Sequence, residues 1–241
     1  KGKHFLFYQL EISPAILCEK FAALYGSFSL FKTSIKFTDN KEMQGILKGY
    51  MEDGYVNVAG VKVEGDAGII LLGNIDINDM DGSKDMFREL PEVFRDAALI
   101  ERIHGFIPGR KIPSITDSII INDWALNTEY FTEILHLFRA PTENLRYRGL
   151  VEELVSARSK LGGVDKREKE AVLRLCTAYL KLFFPHADSE LIRTPEFRKD
   201  FKQYCLNPAK RMRETVLQQM KIIDPTQFKN RSMATYSLKG E

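Results

Sequence analysis

One uninterrupted apolar run does most to limit how this chain can fold. The four residues 69–72 are all isoleucine or leucine, and the run stops abruptly at Gly73 and Asn74. A continuous apolar run of this length is typical of a central strand in a parallel sheet. In such α/β folds, ligand sites form beyond the carboxyl ends of the strands. The run therefore predicts an α/β fold, with Asn74 placed where such folds build their sites.

The segments around this run predict a mixture of helices and strands. Before it, residues 41–52 carry apolar side chains at helical spacing, and residues 55–64 contain two β-branched runs around a glycine-containing turn. These patterns predict a helix followed by a β-hairpin. After the run, we expect a short helix over residues 90–99 and a strand over residues 103–107.

The second half of the chain is mostly helical in pattern. Apolar side chains recur at helical spacing over residues 123–138, 145–161, 166–184, 193–205 and 208–223. Asp165 stands where it can cap the third of these helices, and the residues after Phe228 are polar. We therefore expect an α/β unit over residues 1–115, a helical unit over residues 116–228 and a flexible tail over residues 229–241.

The composition shows no sign of a cysteine metal site, a membrane span or a strongly basic surface. The three cysteines, Cys18, Cys176 and Cys205, are far apart and form no metal-binding spacing, so we expect free thiols in a reducing cytoplasm and no metal site built from them. No apolar stretch is long enough to cross a membrane, and no signal peptide is recognisable. The net charge of only +2 gives no global nucleic-acid signature, so a DNA contact would come from a local patch.

Three segments, in this order along the chain, carry a resemblance to a known family. They read GIILLGNI over residues 68–75, LPEVFRDAALIERIHGFIPG over residues 90–109, and REKEAVLRL over residues 167–175, running on to His186. Together they resemble the Lon-related AAA+ ATPases of BREX phage-defence systems and, more distantly, the motor domain of the MCM helicases. The second segment is long and highly specific, whereas the others alone would be weak.

The resemblance implies a fold, an activity and partners. The fold would be an AAA+ parallel-sheet sandwich with an incomplete amino-terminal part, followed by an α-helical lid. The full-length protein would form a ring that hydrolyses ATP with Mg²⁺ and couples this reaction to binding or remodelling DNA in anti-phage defence. The expected partners are copies of this chain, DNA and other proteins of the defence system, with no membrane.

The resemblance also assigns roles around the ATP. Asn74 matches the sensor-1 residue that orients the attacking water, although a turn-forming asparagine would look the same. Arg102 matches the arginine finger that reaches into the neighbouring subunit's site. A surface ion pair with Glu101 or Asp96 is the alternative for Arg102, and Arg95 is a competing finger, as is the nearby arginine at position 110.

Two further cations receive roles in the same way. Arg167, in the first turn of the helix 166–184, matches sensor 2, which reaches the γ-phosphate; the alternative is a solvated basic face with Lys166 and Lys169. Lys62 lies in the predicted hairpin, which related motors use to touch DNA in a central pore. A lysine at its tip would contact phosphate without reading sequence, and an ordinary exposed lysine is the alternative.

The chain departs from the family at the nucleotide-binding motifs. Of the phosphate-binding Walker A loop only Gly2 and Lys3 are present, with His4 in place of the magnesium-binding hydroxyl. No apolar strand ending in Asp-Glu, the Walker B pattern, stands between residues 5 and 50. Either the site is degenerate, or stretches of these loops are missing from the sequence. We favour the second, because the sensor and finger residues are in place, but the polypeptide as written should hydrolyse ATP poorly.

Two other functions stay open. The chain could be the ATPase portion of an ATP-dependent Lon-type protease whose Ser-Lys peptidase domain lies outside it, since the residues after Phe228 are too few to hold such a domain. Alternatively, it could be an AAA+ module kept only for assembly. Peptidase activity is not expected of this chain itself.

Overall fold

The computed structural model divides the chain into two units. It describes residues 6–7, 41–58, 60–65, 69, 71–72, 83–88, 92–109, 112, 116–117, 120, 124–125, 127–159 and 163–241. The first unit comprises Lys1–Arg102 and Ile222–Asp224, and the second comprises Ile103–Lys221 and Pro225–Glu241. The second unit therefore begins earlier than the predicted start at residue 116.

Among its described residues, the first unit combines short strands with two helices. Its elements are β1 (Leu6–Phe7), α1 (Lys41–Asp53), β2 (Tyr55–Val58), β3 (Val61–Glu64), β4 (Leu71–Leu72), a 3-10 turn (Glu92–Arg95) and α2 (Ala97–Ile100). The predicted helix at 41–52 and the hairpin at 55–64 are confirmed, the latter as the antiparallel pair β2–β3. Both patterns are local, so the sequence alone determines them.

The apolar run at 69–72 pairs differently from the prediction. Among the described residues of the run, Leu71–Leu72 is a strand, and it pairs antiparallel with Leu6–Phe7. Every strand pair among the described residues is antiparallel, so the predicted parallel sheet is not found there. An apolar run indicates that a strand is buried, but it carries no information on the direction of its partner. The predicted strand at 103–107 is also wrong, because these residues form neither strand nor helix.

The second unit is built mainly of helices. Its elements are α3 (Thr128–Leu137), α4 (Pro141–Leu154), β5 (Val155–Arg158), α5 (Lys166–Phe183), α6 (Pro195–Phe201), a π-type turn (Lys202–Leu206), α7 (Asn207–Ile223), α8 (Pro225–Phe228) and β6 (Thr235–Leu238). Asp165 caps α5 as predicted, since its carboxylate accepts the Glu168 N–H at 2.8 Å. The helix predicted over 145–161 instead ends at Leu154 and continues as a strand.

One apolar cluster holds the second unit together. It is formed by side chains of α4, α5, α6 and the β5–β6 pair, with Tyr147, Val151, Leu154, Val172, Cys176, Leu180, Phe201, Cys205, Tyr236 and Leu238 among its buried members. Burial raises the pKa of the Cys176 thiol to about 12 and that of the Cys205 thiol in the same direction. Both are free thiols, as expected, and Cys18 lies outside the described residues.

The carboxyl-terminal segment contradicts the predicted flexible tail. Thr235–Leu238 pairs antiparallel with Val155–Arg158, and Tyr236 and Leu238 are 2% and 1% exposed. Alternate residues of this strand point into the core, as the two-residue period of a strand requires. The apolar signal is only two side chains long, and the polar residues around it obscure it. None of the described helices is long and apolar enough to cross a membrane.

Candidate functional site

Arg102 makes three hydrogen bonds within the chain. It follows α2, and its guanidinium donates from Nε to Oε2 of Glu52 at 2.9 Å and from Nη2 to the same oxygen. Nη1 donates to the carbonyl oxygen of Ala98 at 2.5 Å. The Arg102 side chain is 15% exposed and that of Glu52 is 40% exposed. An ion pair, which was the alternative for Arg102, is therefore present, but its partner is Glu52 and not Glu101 or Asp96.

A second ion pair joins the same two helices. Nζ of Lys48, one helical turn before Glu52, lies 2.8 Å from Oδ1 of Asp96. Asp96 also caps α2, because its carboxylate accepts the Leu99 N–H at 2.8 Å. Burial opposes ionisation of Asp96, yet the hydrogen bonds from Lys48 and the backbone keep its pKa below the usual value. Both ends of α2 are thus linked to α1, the start through Lys48 and the end, where Arg102 stands, through Glu52.

Arg95, the competing finger, is placed differently. Its nearest acidic partner is Asp85, with Nη2 and Oδ2 3.9 Å apart, and its side chain is 46% exposed. It ends a 3-10 turn, and among the described residues this single long contact contrasts with the two bonds from Arg102 to Glu52. The other competitor, the arginine at position 110, lies outside the described residues, as do Asn74, Gly2 and Lys3.

Lys62 lies on the polar face of the hairpin. It pairs with Asn57 across the strands, two positions after Gly60 in the turn, so it is beside the tip and not at it. Its ammonium lies 2.7 Å from Oε1 of Glu64 and 4.3 Å from the ring centre of Tyr55. The hydrogen bond with Glu64 raises the pKa of Lys62. A charged, half-exposed lysine is thus available on this face.

Arg167 is the second residue of α5 and is partly buried. The following residue, Glu168, is only 3% exposed, and its Oε1 accepts the Ala234 N–H at 2.9 Å and the Tyr236 hydroxyl at 3.1 Å. The helix start that carries Arg167 is therefore attached to the carboxyl-terminal segment. This attachment has no signal in the sequence, because a lone glutamate in a helix is normally exposed.

An ion-pair ladder connects α4, α5 and the segment before α3. Arg148 donates to both carboxylate oxygens of Glu170, at 3.2 and 2.7 Å, and Glu170 accepts a further bond of 2.7 Å from Arg174. Nη1 of Arg174 lies 3.2 Å from Nε2 of His104. Burial, and then the charges of Arg174 and Arg213, lower the pKa of His104 to about 4. The imidazole is therefore neutral and accepts the bond from Arg174.

Three of the cations to which the resemblance assigns a phosphate contact are among the described residues. Arg102 and Lys62 belong to the first unit and Arg167 to the second. The guanidinium of Arg102 suits phosphoryl oxygens, because its planar fork matches their geometry. No group of three histidine, cysteine or acidic residues within the described part of the chain could hold a metal ion.

The chain is similar to known proteins over most of its length. Residues 32–234 match the family described as "Lon-like protease BrxL-like, ATPase domain". A Lon-like protease BrxL from Escherichia coli O9:H4 (strain HS) is 26% identical over 197 residues, which are 80% of this chain and 26% of that protein. One from Bacillus cereus (strain H3081.97) is 25% identical over 198 residues, 80% of this chain and 27% of that protein. The chain thus spans about a quarter of the length of these relatives.

Proposed function

This chain belongs to the ATPase-domain family of the BrxL-like Lon-related proteins, and we propose that it is part of a ring-forming AAA+ ATPase that couples ATP hydrolysis to binding or remodelling DNA in anti-phage defence. The observation that carries the proposal is the placement of Arg102. Its guanidinium stands at the end of a short helix and is held there by Glu52 of α1 and by the carbonyl oxygen of Ala98. An arginine finger needs such a fixed support, since it must meet a neighbouring subunit's phosphate in one orientation.

The reaction proposed for these residues is transfer of the γ-phosphoryl group of ATP to water. The water oxygen bonds to the γ-phosphorus while the bond to the β–γ bridging oxygen breaks, giving ADP and phosphate. Arg102 stabilises the charge on the transferring group, and such a finger contributes about 10³–10⁵ in rate. Asn74 orients the water, and Arg167 reaches the γ-phosphate from the helical unit. Bound Mg²⁺ would neutralise phosphate charge, and Gly2 and Lys3 would contribute to the phosphate cradle.

A local DNA contact at the hairpin is consistent with the charge of the chain. The net charge is only +2, so nonspecific attraction over the whole surface is weak. Lys62 is 53% exposed and stands beside the turn of an antiparallel hairpin. A lysine so placed can replace a counterion on a phosphate without reading sequence.

A second candidate is favoured by the names of the relatives. Both are called Lon-like proteases, and this chain covers only about a quarter of each. The chain would then be the ATPase portion of an ATP-dependent protease, and the peptidase would lie in another part of the full-length protein. ATP-dependent degradation of a model polypeptide by the full-length protein would favour this candidate.

The test of the proposal is ATP hydrolysis by the full-length protein and by its Arg102→Ala variant, with and without DNA. The variant should bind ATP almost as tightly as the wild type and lose about 10³-fold in turnover. Arg95→Ala tests the competing finger. It should keep turnover within about twofold if Arg102 is the finger, whereas a large loss in Arg95→Ala with turnover kept in Arg102→Ala would assign the role to Arg95.

Assembly is measured alongside by light scattering. Ring-sized particles with DNA-stimulated turnover are the expected result. Unchanged turnover in Arg102→Ala would remove the finger from the mechanism. A monomer that neither binds nor hydrolyses ATP would reject the ATPase proposal, and the assembly or binding role would then be the function to pursue.

A further inference from the structure

The hydrogen bonds that hold Arg102 use only some of the N–H donors of its guanidinium. A guanidinium carries five N–H donors. Glu52 takes one from Nε and one from Nη2, and the carbonyl of Ala98 takes one from Nη1. Within the described part of the chain, one N–H on each terminal nitrogen is left over. A single carboxylate oxygen and a single carbonyl therefore fix the plane of the fork while donors stay open for another anion.

We propose that Glu52 is a positioning residue for Arg102, holding the guanidinium in one orientation before a neighbouring subunit's ATP arrives. The inference rests on the role of Arg102 in the proposed function. Glu52 itself touches no nucleotide in this proposal and acts only through Arg102. It lies in the last turn of α1, two residues before Gly54, where the chain enters the hairpin.

The physical basis is the flexibility of an arginine side chain. A free arginine samples many rotamers, and the two contacts with Glu52 remove most of that freedom before catalysis. Small errors in the position of a catalytic group have large effects on rate. Exposed ion pairs, in contrast, contribute little to stability, and Glu52 is 40% exposed. Loss of the Glu52 charge should therefore lower turnover much more than it lowers stability.

The experiment compares two ion pairs of the same helix junction in the full-length protein. Glu52→Gln weakens the hydrogen bonds that hold Arg102. Lys48→Met breaks the neighbouring ion pair with Asp96, and this pair does not contact Arg102. Glu52→Gln should lower kcat about tenfold and leave the KM for ATP within about twofold. Lys48→Met should keep both values near wild type, and both variants should unfold within a few degrees of it.

A double-mutant cycle with Arg102→Ala completes the test. If Glu52 acts through Arg102, adding Glu52→Gln to Arg102→Ala should lower turnover no further. A further loss in that background, an equal loss in Lys48→Met, or an unchanged kcat in Glu52→Gln would each overturn the inference. If Arg102→Ala alone keeps full turnover, Arg102 is not an arginine finger, and the positioning role of Glu52 is rejected together with it. The two failures are thus distinguishable.

Discussion

The phenol hydroxyl of Tyr236 donates a hydrogen bond of 3.1 Å to the buried carboxylate of Glu168, and so joins the last strand of the chain to the start of α5. The same oxygen accepts the Ala234 N–H at 2.9 Å. Burial, and then the charge of Glu168, raise the pKa of Tyr236, so the hydroxyl keeps its proton for this bond. The carboxyl-terminal segment is therefore held by polar contacts as well as by apolar burial.

Removal of the Glu168 carboxylate should destabilise the protein. Glu168→Ala leaves the Tyr236 hydroxyl and the Ala234 N–H without their acceptor, and we expect a loss of about 2–3 kcal/mol in the free energy of unfolding. Tyr236→Phe, which keeps the ring, should cost about 1 kcal/mol. Glu133→Ala, on an exposed position of α3, is the control and should change little. Urea unfolding measures all three, and equal midpoints would mean that the segment is not docked in solution.

The sequence predicted those elements whose stabilising contacts are local. Helix α5 has a cap at Asp165 and regular apolar spacing, and the hairpin has a glycine turn with positive φ at Gly60. The pairing of β5 with β6 is not local, because the partner strand stands far along the chain. Apolar side chains continue at helical spacing past Leu154 in the sequence. The sequence pattern therefore does not mark the change from helix to strand at this residue.

The residues of the candidate site also differ in whether the sequence could predict them. Arg102 could be singled out because it stands in a long segment typical of a family, but its partner could not. Neighbours in sequence, Glu101 and Asp96, were the natural candidates, yet the acid that holds it is Glu52. The spacing of Lys48 and Glu52, one helical turn apart on α1, was the available signal. This spacing indicates a charged face on α1, but it does not indicate which residues that face contacts.

Gly105 should tolerate no side chain. A Cβ at this position would lie 2.7 Å from Cε and 3.0 Å from Cβ of Met212, and 3.3 Å from Cδ1 of Leu175. The flexible end of the Met212 side chain can move away, but its Cβ is fixed to the backbone, so Gly105→Ala should destabilise the protein by about 1 kcal/mol, the low end for overpacking. Gly149, inside α4 with nothing within 4 Å, is the matched control. Gly149→Ala should instead stabilise by about 0.5–1 kcal/mol, and thermal unfolding that orders the two variants the other way would contradict the packing.

His104 should make stability depend on pH. Its pKa is lowered from 6.5 to about 4, chiefly by burial and then by Arg174 and Arg213, while Glu170 acts in the opposite direction. The folded state therefore binds fewer protons than the unfolded state between these values, and stability is lost as the pH falls through this window. The expected slope is about 1.4 kcal/mol per pH unit.

Unfolding by urea at several pH values between 4 and 7 measures this slope. His104→Gln should flatten it, because the glutamine cannot take up the proton and its oxygen can still accept a bond from Arg174. His136→Gln, at an exposed position in the last turn of α3, is the control and should keep the wild-type slope. An unchanged slope in His104→Gln would show that other groups carry the dependence on acid.

Lys62 should contribute one phosphate contact if the hairpin meets DNA. Its ammonium already pairs with Glu64 at 2.7 Å, so a phosphate must compete with that carboxylate. In the full-length protein, Lys62→Gln should weaken DNA binding and reduce the slope of log affinity against log salt by about 1. Glu64→Gln removes the competitor on the same face and should strengthen binding. Because the two variants alter one ion pair in opposite directions, a hairpin that merely unfolds would weaken binding in both. Equal salt slopes for wild type and Lys62→Gln would place the DNA contact elsewhere.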